Sequence, residues 1–195
     1  TKENRLYNLF VVFAVCCHLS KIFEIEISNE LLCYIFQIIT ASDDKIVKLW
    51  STDKHKFIAS FVGHTNWVRC ARMSSDGSVI ASCSDDKSTR LWSPDTGECI
   101  HTYKDQKGHG LNLAWHPSGC YIAVGTSQGN IKLYDVRTHN LVQYYSIHND
   151  AVTQMVFHPS GNYILTASKD GKMKVRLFAL LTKFITTVCL KYDVD

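Results

Sequence analysis

Metal-ligand spacing is missing from this chain. Its eight cysteines, at positions 16, 17, 33, 70, 83, 99, 120 and 189, form no CxxC pair and no other cluster of the kind a zinc site needs. Several fall where a strand would bury a small apolar side chain, so they read as free thiols of a reducing compartment. Charge of one sign is also scarce: 21 Lys and Arg face 18 Asp and Glu, a formal net charge of +3. Nucleic-acid binding asks for a basic stripe, and none is present. The apolar run LFVVFAVCC, residues 9–17, is too short to cross a bilayer as a helix. With Lys2 and Arg5 ahead of it the run has the form of a signal-peptide core. Residue 1 is threonine and no methionine precedes Met73, which favours a fragment or an incomplete gene product over a signal. Between residues 40 and 175 no helical period competes with the strand pattern.

What the chain does have is a repeat. Shifted against itself by 42 residues, it aligns Trp50, Trp92 and Tyr134, and likewise Gly77, Gly119 and Gly161. Asp44 and Asp86 follow the same step, with Gln128 and Asp170 continuing the series. His64 and His148 are 84 apart, with Gln106 midway. Inside one unit, residues 68–103, the strings VRCARM, VIASCS, STRLW and CIHTY read as four short strands. Each is rich in β-branched, aromatic or small apolar residues, and SSDG, DDK and SPDTGE punctuate them as turns. Four antiparallel strands recurring every 42 residues predict an all-β fold of propeller blades. The repeat region is 39–176, with units at 39–64, 65–106, 107–148 and 149–176, about three units plus a remnant. Residues 1–38 and 177–195 are apolar flanks without the period, predicted not to complete blades. Propellers close with about 4–8 blades, so this length predicts part of a seven-bladed ring.

The strings GH…IASCSDDKSTRLW and GH…DDKIVKLW resemble WD40 repeats over about 135 of the 195 residues. More narrowly, HTNWVRCARMSSDG, YDVRTHNLVQYY and VFHPSGNYILTASKDG resemble the centriolar-proteome WD40 family, whose members sit at centrioles and basal bodies. The WD40 resemblance implies that a histidine, a Ser or Thr, an aspartate and a tryptophan form a hydrogen-bond chain in each blade. The second unit supplies the full set as His64, Ser82, Asp86 and Trp92. The first offers Thr40, Asp44 and Trp50 but has Ile22 at the histidine position; the fourth keeps His148, Thr166 and Asp170 but has Arg176 for the tryptophan. In the third, Gln106, Val124, Gln128 and Tyr134 all depart from the set.

A serine, a histidine and an aspartate also invite comparison with a hydrolase triad. No nucleophile elbow accompanies them, and the set already satisfies its own donors and acceptors in a buried place, so they read as scaffold. GTSQGN, residues 125–130, has glycines but lacks the lysine and helix of a phosphate loop, so it reads as a turn. No catalytic residue, cofactor, metal or small-molecule substrate is expected. The expected activity is protein binding by loops on a rigid disc. The candidate face is the rim that carries the histidine–aspartate pair: Trp67, His109 and Ala151; Arg69, Leu111 and Thr153; Asp85, Ser127 and Lys169. Trp67 and Arg69 are of the residue types that dominate interface hot spots.

Two functions remain open. The family resemblance implies a centriolar or basal-body scaffold that contacts assembly partners and the microtubule wall, in the cytoplasm and cytoskeleton, with no nucleic-acid or membrane partner. The alternative is a substrate receptor for a cullin-type ubiquitin ligase. IKLYDVR, residues 131–137, is similar to the WDxR ending of the adaptor-binding box in such receptors, with Tyr134 in place of its tryptophan and Arg137 as its arginine. A third possibility, a secreted propeller, depends on the N-terminal apolar run.

Overall fold

The computed structural model describes residues 37–104 and 108–178, and the backbone of 187–190. Every regular element among them is a strand. The first sheet is β1 (Gln37–Ala41), β2 (Ile46–Ser51) and β3 (Lys56–Val62). The second runs β4 (Val68–Met73), β5 (Ile80–Ser84), β6 (Ser88–Trp92) and β7 (Cys99–Lys104). The third comprises β8 (Gly110–Trp115), β9 (Tyr121–Thr126), β10 (Asn130–Asp135) and β11 (Leu141–Ser146). The fourth comprises β12 (Val152–Phe157), β13 (Tyr163–Ser168), β14 (Met173–Leu177) and β15 (Thr187–Leu190). All are antiparallel meanders, and the described sheets form an open array of blades. The fold is all-β, as the 42-residue pattern predicts.

Short turns with fixed backbone demands hold these hairpins. Gly77, Gly119 and Gly161 take φ of 76°, 73° and 76° in the turn after each innermost strand. Their N–H groups donate back three residues, to Ser74, His116 and His158 carbonyls. A β-carbon at that φ is strained, which is why glycine recurs there. Apolar layers fill the space between successive sheets. Ile39, Val47, Leu49 and Phe61 meet Val68, Ala71, Ile80 and Trp92; Leu91 and Tyr103 meet Leu113, Ile122 and Val124; Ile131 and Leu133 meet Val152, Met155 and Ile164. Burial of these side chains drives the stacking of sheet on sheet.

The irregularities repeat too. Register shifts fall between Val68 and Cys70, Gly110 and Asn112, and Val152 and Gln154. Each innermost strand therefore bulges at one residue: Arg69, Leu111 and Thr153.

The flanks need one correction. Residues 177–195 were expected to complete no blade, yet Thr187–Leu190 pairs with β14 in the register Arg176↔Thr187 through Met173↔Leu190. TVCL lacks the 42-residue landmarks, but it is β-branched and apolar enough to pair along a free strand edge. Gln37 and Ile38 also belong to β1, so the first sheet starts before residue 39. The remainder of the expectation for the N-terminal flank, residues 1–36, lies outside the described residues, as does Ile22.

Candidate functional site

In the second blade four side chains form one directional chain. Trp92 Nε1–H donates to Ser82 Oγ at 2.8 Å, and Ser82 Oγ lies 2.7 Å from His64 Nε2. His64 Nδ1 is 2.8 Å from Asp86 Oδ2. A carboxylate accepts only, so Nδ1 carries the proton and Nε2 of the neutral ring accepts from the Ser82 hydroxyl. Ser88 closes the far end, donating to Asp86 Oδ1 at 2.6 Å, and the Thr65 N–H donates to Asp86 Oδ2 at 3.0 Å. Burial pushes the Asp86 carboxyl up, but Ser88, the Thr65 amide and His64 outweigh it and bring it down to about 2. Burial lowers the His64 pKa, and Asp86 opposes that only in part.

The order serine, histidine, aspartate is that of a hydrolase triad. Access decides the comparison. Ser82 is 0% exposed and its oxygen already accepts from the indole, which ties the hydroxyl into the blade's own hydrogen-bond chain.

The other blades carry parts of this chain. Trp50 Nε1–H donates to Thr40 Oγ1 at 3.1 Å, while Asp44 caps its own turn through the Ile46 amide at 3.0 Å and an ion pair with Lys48 at 3.1 Å. Trp50 is 38% exposed against 1% for Trp92, which packs beside Phe61 and His64. In the fourth blade His148 Nε2 lies 2.9 Å from Thr166 Oγ1, and Nδ1 lies 3.0 Å from Asp170 Oδ2. Arg176 occupies the tryptophan position and lays its guanidinium 3.7 Å from the centre of the Tyr145 ring. In the third blade Tyr134 is buried against Tyr103, ring centroids 4.3 Å apart, so an aromatic stack fills the place of the hydrogen-bond chain.

At the rim, the bulge at Arg69 turns its side chain toward the turn that follows β5. There Arg69 grips Asp85 with two hydrogen bonds: Nε to Oδ1 at 2.8 Å and Nη2 to Oδ2. The same guanidinium lies 4.9 Å from the centre of the Trp67 ring. His109 of the next blade brings Nε2 within 3.6 Å of Asp85 Oδ1 and Nδ1 within 3.4 Å of Ser127 Oγ. Trp67, Arg69, Asp85, His109 and Ser127 thus form one connected strip across two blades. The remaining rim candidates stand apart. Leu111 is half-buried; Ala151 is buried, with its carbonyl accepting from the Lys169 amide at 3.0 Å; and exposed Thr153 donates to the Ala167 carbonyl at 3.2 Å. Sequence reasoning missed two features. One is the Asp85–His109 contact between blades, for which the 42-residue step gives no signal. The other is Ser88, which sits two residues after Asp86 and was visible as a local Asp-x-Ser pairing.

Among the described residues, no group of three or more His, Cys, Asp or Glu could hold a metal ion, and no helix is long and apolar enough to cross a membrane. Residues 55–93 match the family described as WD domain, G-beta repeat. Residues 103–158 match the Anaphase-promoting complex subunit 4 WD40 domain. The chain carries WD40 repeats, folded as propeller blades. Such repeats indicate a protein-interaction scaffold.

Proposed function

We propose that this chain is a non-catalytic scaffold that binds proteins through the rim bearing Trp67 and Arg69, and that it acts in centriole or basal-body assembly, stability and ciliogenesis. The observation that carries the binding face is the fixed presentation of an exposed indole. Trp67 is 38% exposed and lies against a guanidinium that Asp85 holds in two hydrogen bonds. Ordering these side chains before a partner arrives reduces the entropy lost on binding. The match to a WD40 domain of a complex subunit supports the binding-module reading. Centriolar placement rests on the resemblance of HTNWVRCARMSSDG and the other quoted strings to that family; contacts with assembly partners and the microtubule wall follow from it.

The test pairs two measurements. The double variant Trp67→Ala, Arg69→Ala should keep its circular dichroism spectrum and lose the concentration of a tagged full-length protein at centrioles. A folded double variant that still concentrates there removes these residues from the site. The ligase-receptor alternative draws on Arg137, which is exposed beyond β10. Its Tyr134 is taken up in packing on Tyr103. Pull-down with the cullin adaptor separates the two readings, since capture that depends on Arg137 supports the receptor.

A further inference from the structure

Two cysteines face each other in the second blade. Cys70 on β4 and Cys83 on β5 are register partners, directly opposite across the antiparallel ladder, and both are 0% exposed. Directly opposed residues in such a ladder have Cα atoms about 4.5–5.5 Å apart, inside the span of about 4.4–6.8 Å that a disulfide bridges. Both are free thiols. The surroundings of the two differ. Cys83 opposite it, and the Arg72 guanidinium and Leu113 amide beside it, bring the Cys70 thiol down to about 7 against the effect of burial. Burial pushes Cys83 well up. The Arg72 cation, two residues along the same strand face, favours the thiolate at Cys70 and marks that sulfur as the one that attacks.

Arg72 shares a strand face with Cys70 and lines a cavity of about 300 Å³ with Gln154, Met155, Leu165 and Met173. A small oxidant in that cavity stands next to the residue that neighbours Cys70. On its other side Cys83 packs tightly on Gly110, where an added β-carbon would lie 2.8 Å from the Cys83 Cβ.

We propose that Cys70 and Cys83 form an oxidisable dithiol that hydroperoxides convert to a disulfide linking the two innermost strands of the second blade. The Cys70 thiolate attacks the distal peroxide oxygen, the O–O bond breaks, and hydroxide or alkoxide leaves, giving a sulfenic acid. The Cys83 sulfur then attacks the Cys70 sulfur, and the hydroxyl departs as water with the Cys83 proton. The sulfurs together lose two electrons and the peroxide gains them. The strands need not change register, because the pair is already opposed. The link would lock the bulge at Arg69 and the turn at Asp85, one and two residues from the two sulfurs, and with them the rim.

The test uses the full chain, reduced and desalted, treated with hydrogen peroxide, then alkylated in denaturant and mapped by mass spectrometry. The expected product is a Cys70–Cys83 cross-linked peptide, lighter by two hydrogen atoms, with a higher melting temperature for the oxidised protein. In Cys83→Ser the reaction should stop at a dimedone-reactive sulfenic acid on Cys70; in Cys70→Ser, Cys83 should remain alkylatable. Cys70 and Cys83 both fully alkylated in peroxide-treated wild type, or a scrambled set of pairings with the other six cysteines, would overturn the proposal. The wild-type mapping stands even if a serine variant fails to fold.

Discussion

One hydroxyl in the second blade serves two neighbours. Ser82 accepts from the Trp92 indole and donates to the His64 ring, so Ser82→Ala leaves a buried N–H and a buried ring nitrogen without partners. The expected cost is about 1–3 kcal/mol, read as a lowered thermal midpoint. A variant that melts with the parent would contradict the structural role. Acid should act on the same chain in two windows. Asp86 is held at about 2 instead of 3.8, so the fold favours its ionised form. Its contribution is complete above the unfolded value and is lost as pH falls through 3.8 toward about 2. His64 has a folded pKa lowered from 6.5, so the fold favours the neutral ring and stability also declines as pH falls below 6.5. Denaturant midpoints measured along a pH series should therefore drop in both intervals. Asp86→Asn should start lower and lose the steep decline between 3.8 and about 2, and an unchanged acid limb would refute the assignment.

The elements show where sequence stops being informative. The WD40 resemblance implied that Thr40 meets the Trp50 indole and that His148 lies between Thr166 and Asp170, and a blade's own hairpins bring these positions together. It could not anticipate that Asp85 meets His109, since that contact depends on how far one sheet turns against the next. Nor could it show that Cys70 faces Cys83, because the bulge at Arg69 shifts the register by one residue and so decides which side chains are opposed. TVCL failed as a prediction for the converse reason: edge pairing asks for little beyond β-branched residues and a free neighbour. Close approach between sheets makes its own prediction. A β-carbon at Gly125 would stand 2.8 Å from Val152 Cγ1 and 3.1 Å from Met155 Sδ. Gly125→Ala should wedge the third and fourth sheets apart and cost about 1–3 kcal/mol by overpacking. Gly97→Ala, where nothing lies within 4 Å, should cost only the strain of its φ of +75°. Melts of the two variants side by side would distinguish packing from backbone strain, and equal losses would count against the seam.

At the scale of the whole molecule the repeat and the sheet do not coincide. The matched repeat, residues 55–93, begins with β3, the outermost strand of the first sheet, and continues through β4, β5 and β6 of the second. A trypsin nick at exposed Lys54 should therefore leave one species in gel filtration, because β3 stays paired with β2, while a denaturing gel shows two pieces. Separation under native conditions would show that this pairing does not hold the sheets together. The arrangement is that of brickwork laid with staggered joints. Each length of chain spans a joint between courses, so no plane of weakness between two sheets is crossed by side-chain packing alone. A force pulling one course from the next therefore tugs on the chain that links them, as from β3 to β4, as well as on the apolar layer between them.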